Sequence, residues 1–394
     1  MESRSEKREL SIYIHIPFCV KKCNYCDFLS FAASDSQQER YVNMLQKQII
    51  SQGQVMSQYK IRSIFIGGGT PSILKADQVD RIMEAVNKAC QYRDSFQQNE
   101  PEVTIEANPG TLTKEKLRVY KELGINRLSM GLQSASDQEL QILGRIHNYK
   151  TFRENYDMAR ELGFQNINVD LMSALPSQTM SSYQNTIEEV VRLNPEHISA
   201  YSLIIEEGTE FYKKYAIHGE SKELPSEEEE RDMYKMTKKM LESAGYKQYE
   251  ISNYAKKGHE SRHNLSYWTG IEYLGFGLGA SSLLNHVRYY NERNAEIYME
   301  KIEKNQKVMH IEENLSEADE MAEFMILGLR LTNGVNGDEF TKRFQLGIFE
   351  KYGTIIKKYQ LLDLIKVRGN RIYLTENGIS VSNQILIEFL PEND

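Results

Sequence analysis

The sequence predicts an α/β protein: a parallel sheet built from strand–helix units, followed by a smaller helical, winged-helix-like C-terminal domain. Three observations predict it. Short apolar runs alternate with amphipathic stretches between residues 11 and 201, six strands in all, and such alternation argues for a parallel sheet with right-handed crossovers. Polar residues recur at the carboxyl ends of those runs, where parallel sheets place ligands. After about residue 210 the rhythm changes, and from about residue 336 it reads helix, helix, helix, hairpin. The alternation suits both a partly closed (β/α)6 barrel and an open doubly wound sheet, and the pattern alone does not separate them.

Residues 11–16 (SIYIHI) read as a strand that ends at Pro17. A helix over 37–52 follows from Tyr41, Met44, Leu45, Gln48 and Ile49 at helical spacing. The second strand, 61–66, runs into Gly67-Gly68-Gly69-Thr70-Pro71. Helix 77–92 then precedes strand 103–107, helix 113–123 precedes strand 127–131, helix 150–162 precedes strand 166–171, and helix 181–193 precedes strand 197–201. Helix 227–244 starts at Pro225-Ser226, with Glu227 to Glu230 where the helix dipole favours carboxylates, and stops at Gly245. Tyr249 to Tyr254 come next, then a segment from His259 to His286 rich in glycine, histidine and aromatics, and a strand over 287–290. Helix 316–330 leads to helices over 338–344, 347–352 and 354–358 and to hairpin arms 364–367 and 371–374, where Asn370 serves the tight turn. The expected organisation is a core over 1–210 carrying the cysteine loop, a linking region over 211–314, and a C-terminal domain over 315–394.

Composition removes several classes of function. The chain has 394 residues, enough for one large domain and a smaller one. Its 48 basic and 56 acidic side chains leave a formal charge of −8, so the chain as a whole is no polyanion binder. Residues 338–371 carry more Lys and Arg than Asp and Glu, as a DNA-binding winged helix would, but winged helices often serve as packing domains. No nucleic-acid partner is expected. Four cysteines, three of them clustered, make no disulfide framework and fit a reducing cytoplasm. The first ten residues lack the apolar core of a signal peptide, and nowhere do about 18 apolar residues run together, so no membrane span is expected.

The chemistry concentrates at Cys19-Val20-Lys21-Lys22-Cys23-Asn24-Tyr25-Cys26. Three thiolates in one loop can hold one face of a cubane iron–sulfur cluster, whereas fully protein-ligated clusters use four. The remaining cysteine, Cys90, lies in a helical stretch and reads as a buried apolar residue, so the fourth iron is left open. An open iron can chelate the amino and carboxylate groups of a small molecule. The alternatives are a zinc knuckle or structural thiols, and zinc asks for a fourth ligand close by. Beside such a loop, Gly67 to Pro71 reads as a segment whose backbone approaches a ligand, although it has neither P-loop nor dinucleotide spacing. Glu106 with Asn108, Gln133 and Asp170 stand at successive strand ends, with Arg145 nearby. Glu106 and Asp170 suit ribose hydroxyls or a sulfonium-bearing ligand, and Gln133 and Arg145 suit carboxylate or amide contacts; each residue taken singly could equally cap a helix. His263-Asn264-Leu265-Ser266-Tyr267-Trp268 holds the single tryptophan. Its histidine is either a structural hydrogen-bonder or, beside two aromatics, a haem ligand.

Together Tyr13-x-His15-x-Pro17-Phe18-Cys19-x3-Cys23-x2-Cys26, the Gly67 to Pro71 loop, Glu106, Gln133, Arg145 and Asp170 resemble the oxygen-independent coproporphyrinogen III oxidase family of radical S-adenosylmethionine (SAM) proteins. The resemblance runs over nearly the whole chain. It implies a partial (β/α)6 radical SAM barrel, a [4Fe–4S] cluster on Cys19, Cys23 and Cys26, and SAM on the open iron. Carried over residue by residue, Tyr13, Gly68, Gly69, Thr70, Glu106, Gln133, Arg145 and Asp170 would contact SAM. Tyr25 would pack inside the cysteine loop, and Ile204 would line the same pocket.

Within that family the chain resembles the haem-chaperone branch. The oxidases add a fourth cysteine two residues after the third, where this chain has Phe28, and they carry a longer N-terminal arm, whereas here the strand begins at residue 11. His263-Asn264-x-x-Tyr267-Trp268 matches the chaperones' H-N-x-x-Y-W motif, which implies haem binding at His263, Asn264, Tyr267 and Trp268 and delivery to a membrane-associated haem protein. The alternative is the enzyme itself, which would oxidatively decarboxylate coproporphyrinogen III with SAM. One departure concerns the turn after the fifth unit's strand. The family's D-L-x-x-G-L-P-G-Q-T appears as Asp170 to Thr179 with Ala174 and Ser177 in place of two glycines, which removes conformational freedom there.

Overall fold

The computed structural model describes residues 7–91, 100–218 and 221–391. Six strands, β1 (Glu9–Ile16), β2 (Lys60–Gly68), β3 (Glu102–Ala107), β4 (Arg127–Gln133), β5 (Ile167–Ser173) and β6 (His197–Ser202), pair in parallel and lie in sequence order. A doubly wound sheet reverses its strand order at a switch point. This order does not reverse, so the six strands form a barrel wall, and the choice left open by the alternation is made. Helices Asp35–Ser51, Ala76–Cys90, Lys114–Glu122, Tyr149–Glu161 and Met180–Leu193 connect them. Residue 92, the last of the expected 77–92 helix, lies outside the described residues.

Side-chain alternation explains the wall. Leu10, Ile12, Ile14 and Ile16 of β1 are fully buried in the main core beside Tyr41, Val42, Leu45 and Ile49 of the first helix. The other face carries polar residues that bond to one another: Ser63 Oγ donates to Ser11 Oγ (2.9 Å), and Asn168 Nδ2 to Ser129 Oγ (2.8 Å). The barrel interior is therefore polar, and these hydrogen bonds offset part of the cost of burying it, although Thr104 Oγ1 and Arg127 Nε make none among the described residues.

Later strands extend the same sheet on both sides. β7 (Lys247–Gln248) and β8 (Asn253–Ala255) continue beyond β6, with β8 antiparallel to it. β9 (Tyr273–Phe276) lies parallel to the outer side of β1, followed by antiparallel β10 (Ser281–Leu284), β11 (Val287–Asn291) and β12 (Met309–Asn314). The expected strand over 287–290 is β11; β9, β10 and β12 had no sequence signal strong enough to separate them from loops.

The C-terminal region has its own core, in which Met325, Phe340, Ile356, Ile372 and Ile385 meet. Helices Glu317–Gly328, Gly337–Phe344 and Ile348–Leu361 pack with a three-stranded sheet of β13 (Val335–Asn336), β15 (Arg371–Leu374) and β14 (Ile365–Arg368). The two short helices expected over 347–352 and 354–358 are one helix. Gly353 costs helix stability, about 1 kcal/mol against Ala, but Ile348, Tyr352, Ile356 and Tyr359 continue one buried stripe across it. In the hairpin the left-handed residue is Gly369 (φ +58°) rather than Asn370. No helix among the described residues is long and apolar enough to cross a membrane.

Ala174 and Ser177 keep the backbone that the resemblance assigns to glycine, with φ of +57° and +62°. An L side chain in that region costs roughly 1 kcal/mol. Ser177 is exposed, so Ser177→Gly is expected to stabilise the protein by about 1 kcal/mol, read as a higher urea midpoint. Ala174→Gly should gain less, because its methyl group is buried.

Candidate functional site

The cysteine loop is held at its neck and at its tip. Cys19 N donates to Phe31 O (3.0 Å) and Phe31 N to Pro17 O (2.8 Å), which pinches the loop closed where β1 ends. At the tip, Asn24 N donates to Leu143 O (3.0 Å), Asn24 Nδ2 to Ile142 O (2.9 Å), and Phe211 N to Asn24 O (2.9 Å). Cys19, Cys23 and Cys26 are free and half-buried. Cys90 sits apart, donating from Sγ to Val86 O within its own helix (3.2 Å). Among the described residues no three His, Cys, Asp or Glu side chains converge as they would around a single ion. A cubane asks for something else, since each thiolate binds its own iron.

The glycine segment lies against this loop. Gly69 N donates to Ile16 O (2.8 Å), and a Cβ on Gly69 would stand 2.7 Å from Phe18 O and 3.0 Å from Cys19 Sγ. Only glycine permits that approach. Thr70 Oγ1 sits 3.5 Å from Cys19 Sγ and accepts from Asn108 Nδ2 (2.8 Å). Asn108 Oδ1 accepts from Arg145 Nη2 (2.8 Å), which also donates to Gly131 O (2.7 Å), while Nη1 points to Cys23 Sγ (3.7 Å). Arg145 Nε is buried and makes no hydrogen bond among the described residues. Tyr25 packs with Phe211 and stands beside Arg145, Cys23 and Cys26; burial pushes its hydroxyl pKa up. A seat of backbone and cationic donors is thus built around the thiols, which suits an anionic cluster with a small ligand on it.

Beyond the seat, β3, β4 and β5 bring Glu106, Gln133 and Asp170 to the same end of the sheet. Leu132 is an extra residue in the β4–β5 ladder, and the bulge turns Gln133 to φ +72°, where its Oε1 accepts from Tyr201 OH (3.0 Å). Glu106 Oε2 accepts from Gly68 N (3.0 Å). Burial, then the neighbouring Asp170, pushes the Glu106 carboxyl up to about 8. Burial raises Asp170 as well, against the hydrogen bond from Asn168. Burial keeps the Glu106 carboxyl protonated near neutral pH, and a cation beside the two carboxyls, as a sulfonium and an ammonium would supply, favours their charged forms.

The raised carboxyl gives a pH dependence. The native state holds a proton that the unfolded chain loses above about 4.5, so this contribution is complete below that pH and disappears as pH rises through about 8. Ligand-free protein is expected to lose on the order of 2 kcal/mol between pH 6 and pH 8. Glu106→Gln should flatten that slope in urea unfolding, and an equal slope in the variant would assign it elsewhere.

Helix Arg262–Trp268 closes the barrel from the side of β1 and β2. The Glu102 carboxylate accepts from Ser261 Oγ (3.2 Å), Arg262 N (3.0 Å) and His263 N (3.2 Å), so a residue of β3 caps this helix. His263 stacks on Phe65 (4.9 Å between ring centres), and both ring nitrogens are engaged, Nδ1 with Ser63 Oγ (2.9 Å) and Nε2 with Tyr267 OH (3.0 Å). Burial, then Arg127, lowers its pKa to about 3, so it is neutral. Asn264 N donates to Ser261 Oγ (3.3 Å), and Trp268 lies under the Arg330 guanidinium, 4.6 Å from its ring centre.

Tyr267 stands in the wall between two cavities. One, about 370 Å³, also touches Tyr13, His15, Gly68 and Glu106. Tyr13 OH is 3.0 Å from His15 Nδ1 there. The other, about 690 Å³, lies between the motif helix and helix Glu317–Gly328 and is lined by Trp268.

The structure therefore gathers the three cysteines, Tyr25, Gly68, Gly69, Thr70, Glu106, Gln133, Arg145 and Asp170 at one end of the parallel strands. Tyr13 faces the smaller cavity. Ile204 follows β6 and is 69% exposed at the rim. Asn24, Glu102 and Ser63 were not singled out from the sequence. Asn24 lay inside the cysteine loop and could have been; the other two act on residues some 160 and 200 positions away, which no local pattern reveals.

Residues 13–190 match the model of the radical SAM superfamily, and residues 315–381 match the HemN C-terminal domain. The chain is similar to the heme chaperone HemW of Bacillus subtilis, 36% identical over 97% of this chain and 99% of that one. It is also similar to the heme chaperone HemW of Lactococcus lactis, 34% identical over 96% and 97%. Among solved structures, coproporphyrinogen III oxidase (HemN) from Escherichia coli superposes with a TM-score of 0.82 at 24% identity, covering 98% of this chain and 91% of that one; at this identity the likeness speaks for the fold.

Proposed function

We propose that this chain, which belongs to the radical SAM superfamily and within it to the HemW family of haem chaperones, binds haem and hands it to an acceptor protein. One observation carries the reading: the H-N-x-x-Y-W helix is built into the barrel wall, so that Tyr267 borders both a cavity reaching Gly68 and Glu106 and a larger cavity outside. Cys19, Cys23 and Cys26 would hold a [4Fe–4S] cluster, and the chemistry it would supply is one-electron transfer to a ligand on its open iron. Tyr13, Tyr25, Gly68, Gly69, Thr70, Glu106, Gln133, Arg145, Asp170 and Ile204 would surround SAM. In that seat Glu106 and Asp170 meet positive charge, Arg145 stands by the thiolates, and Gly68 and Gly69 bring backbone close to the ligand. Haem would be taken up around His263, Asn264, Tyr267 and Trp268. The acceptor would be a membrane-associated haem protein met from the cytoplasm.

The experiment uses anaerobically reconstituted full-length protein. Iron and acid-labile sulfide are assayed, haem is titrated in, and coproporphyrinogen III is supplied with SAM and a reductant. Stoichiometric haem binding without a vinyl product supports the chaperone. Turnover to protoporphyrinogen would overturn it in favour of the oxidase, with Phe28, 61% exposed, standing where the oxidases have their fourth cysteine.

A further inference from the structure

The larger cavity contains a histidine that the motif does not include. His286 lies on the two-residue turn between β10 and β11, with Asn285 at φ +48° and His286 at +66°, the left-handed pair of a tight hairpin. The turn is clamped from both sides. Leu315 N donates to His286 O (2.9 Å), and Asn285 N to Glu272 Oε1 (2.6 Å). His286 Nδ1 is bonded to Glu320 of helix Glu317–Gly328, and Glu320 is itself held by Arg343 Nη2 (2.9 Å). Nε2 makes no hydrogen bond among the described residues, and His286 stands at the edge of the cavity with its side chain 67% exposed.

A carboxylate on Nδ1 is the arrangement that orients a metal-binding imidazole, since it fixes the tautomer and leaves Nε2 with a lone pair. His263 presents the opposite case, because both its nitrogens are engaged and its ring is buried against Phe65. The cavity has apolar residues on both sides, Trp268, Tyr273 and Leu283 on one and Phe324, Leu327 and Leu331 on the other, set among charged ones that include Glu9 and Glu339. Its volume, about 690 Å³, is in the range that encloses a large planar cofactor. A tetrapyrrole brings four nitrogens, so one protein donor is enough to hold its iron.

We propose that the cavity between the β10–β11 turn, the motif helix and helix Glu317–Gly328 is the seat of an iron tetrapyrrole, and that His286 Nε2 is its axial ligand. This rests on the haem-chaperone reading and assigns its site. In this arrangement His263 is a positioning residue that holds Tyr267 through its hydroxyl. Arg8, Arg288 and Arg343 on the lining are each already paired with a carboxylate, Glu272, Glu323 and Glu320. Propionates can only exchange for those partners, so the iron–histidine bond is the main anchor.

The test titrates full-length protein with haem and follows the Soret band and the electron paramagnetic resonance of the ferric form. The variant is His286→Asn, because asparagine tolerates the left-handed backbone of this turn. Wild type is expected to bind one haem with a histidine-ligated spectrum. His286→Asn should lose that spectrum and bind at least about tenfold more weakly, with millimolar imidazole restoring the signal. His263→Ala should lower affinity through Tyr267 and keep the axial signature. An unchanged spectrum in His286→Asn, or loss of histidine ligation in His263→Ala alone, overturns this assignment and leaves the chaperone reading in place. A wild-type chain that binds no haem overturns the reading itself and this site with it.

Discussion

Replacing any one of Cys19, Cys23 and Cys26 by alanine is expected to abolish iron retention, with iron and sulfide falling from about four each per chain to background. Two thiolates leave a second iron without a protein ligand, and the described neighbours Arg145 and Thr70 do not replace it. The cationic Arg145 repels iron, and the Thr70 hydroxyl is already engaged by Asn108. The fold should survive, since the neck bonds between Cys19 N and Phe31 O and between Phe31 N and Pro17 O are backbone bonds that a thiol does not serve. Far-ultraviolet circular dichroism of the unreconstituted variants checks that. Cys90→Ala, in a helix away from the loop, is the control and should retain full iron. Full iron in any single loop variant would sink the assignment.

The second large effect is on stability. Glu102→Ala removes an acceptor of three hydrogen bonds at the start of helix Arg262–Trp268 and leaves Ser261, Arg262 N and His263 N unsatisfied in a buried place. At about 1 kcal/mol for each such bond, the cost is about 3 kcal/mol. The single tryptophan sits at the far end of that helix. Its fluorescence therefore reports local loosening, as a red shift in the variant before global unfolding in urea. A loss below about 0.5 kcal/mol with unchanged emission would mean that Ser261 caps the helix alone.

Much of the barrel was legible because its strands are apolar runs punctuated by helices, and each signal is local. The alternation could not say whether the sheet reverses; the uninterrupted pairing from β1 to β6 could. The cluster loop and strand-end residues were legible for the same reason, as residue types recurring at one end of consecutive units. The motif helix was legible as a motif but not as a helix. Seven residues make too weak a periodic signal, and its cap comes from β3. His286 was legible only as the end of a segment rich in glycine, histidine and aromatics, because its meaning depends on Glu320, 34 residues away, and on a turn that only the paired strands create. Gly353 misled for a physical reason too: propensity marked a break, and a continuous buried stripe overrode it.

The pairing of β9 with the outer side of β1 sets an order on biosynthesis. Ser11 faces Tyr273 and its amide is bonded to Glu272 O, so β1 has an open edge until residue 276 has been made. That edge belongs to a strand whose Leu10, Ile12, Ile14 and Ile16 end fully buried, the kind of segment that recruits other chains while it waits. The cysteine loop begins immediately after it. On the proposed reading, the cluster would enter a loop whose supporting strand is completed only when β9 pairs with it.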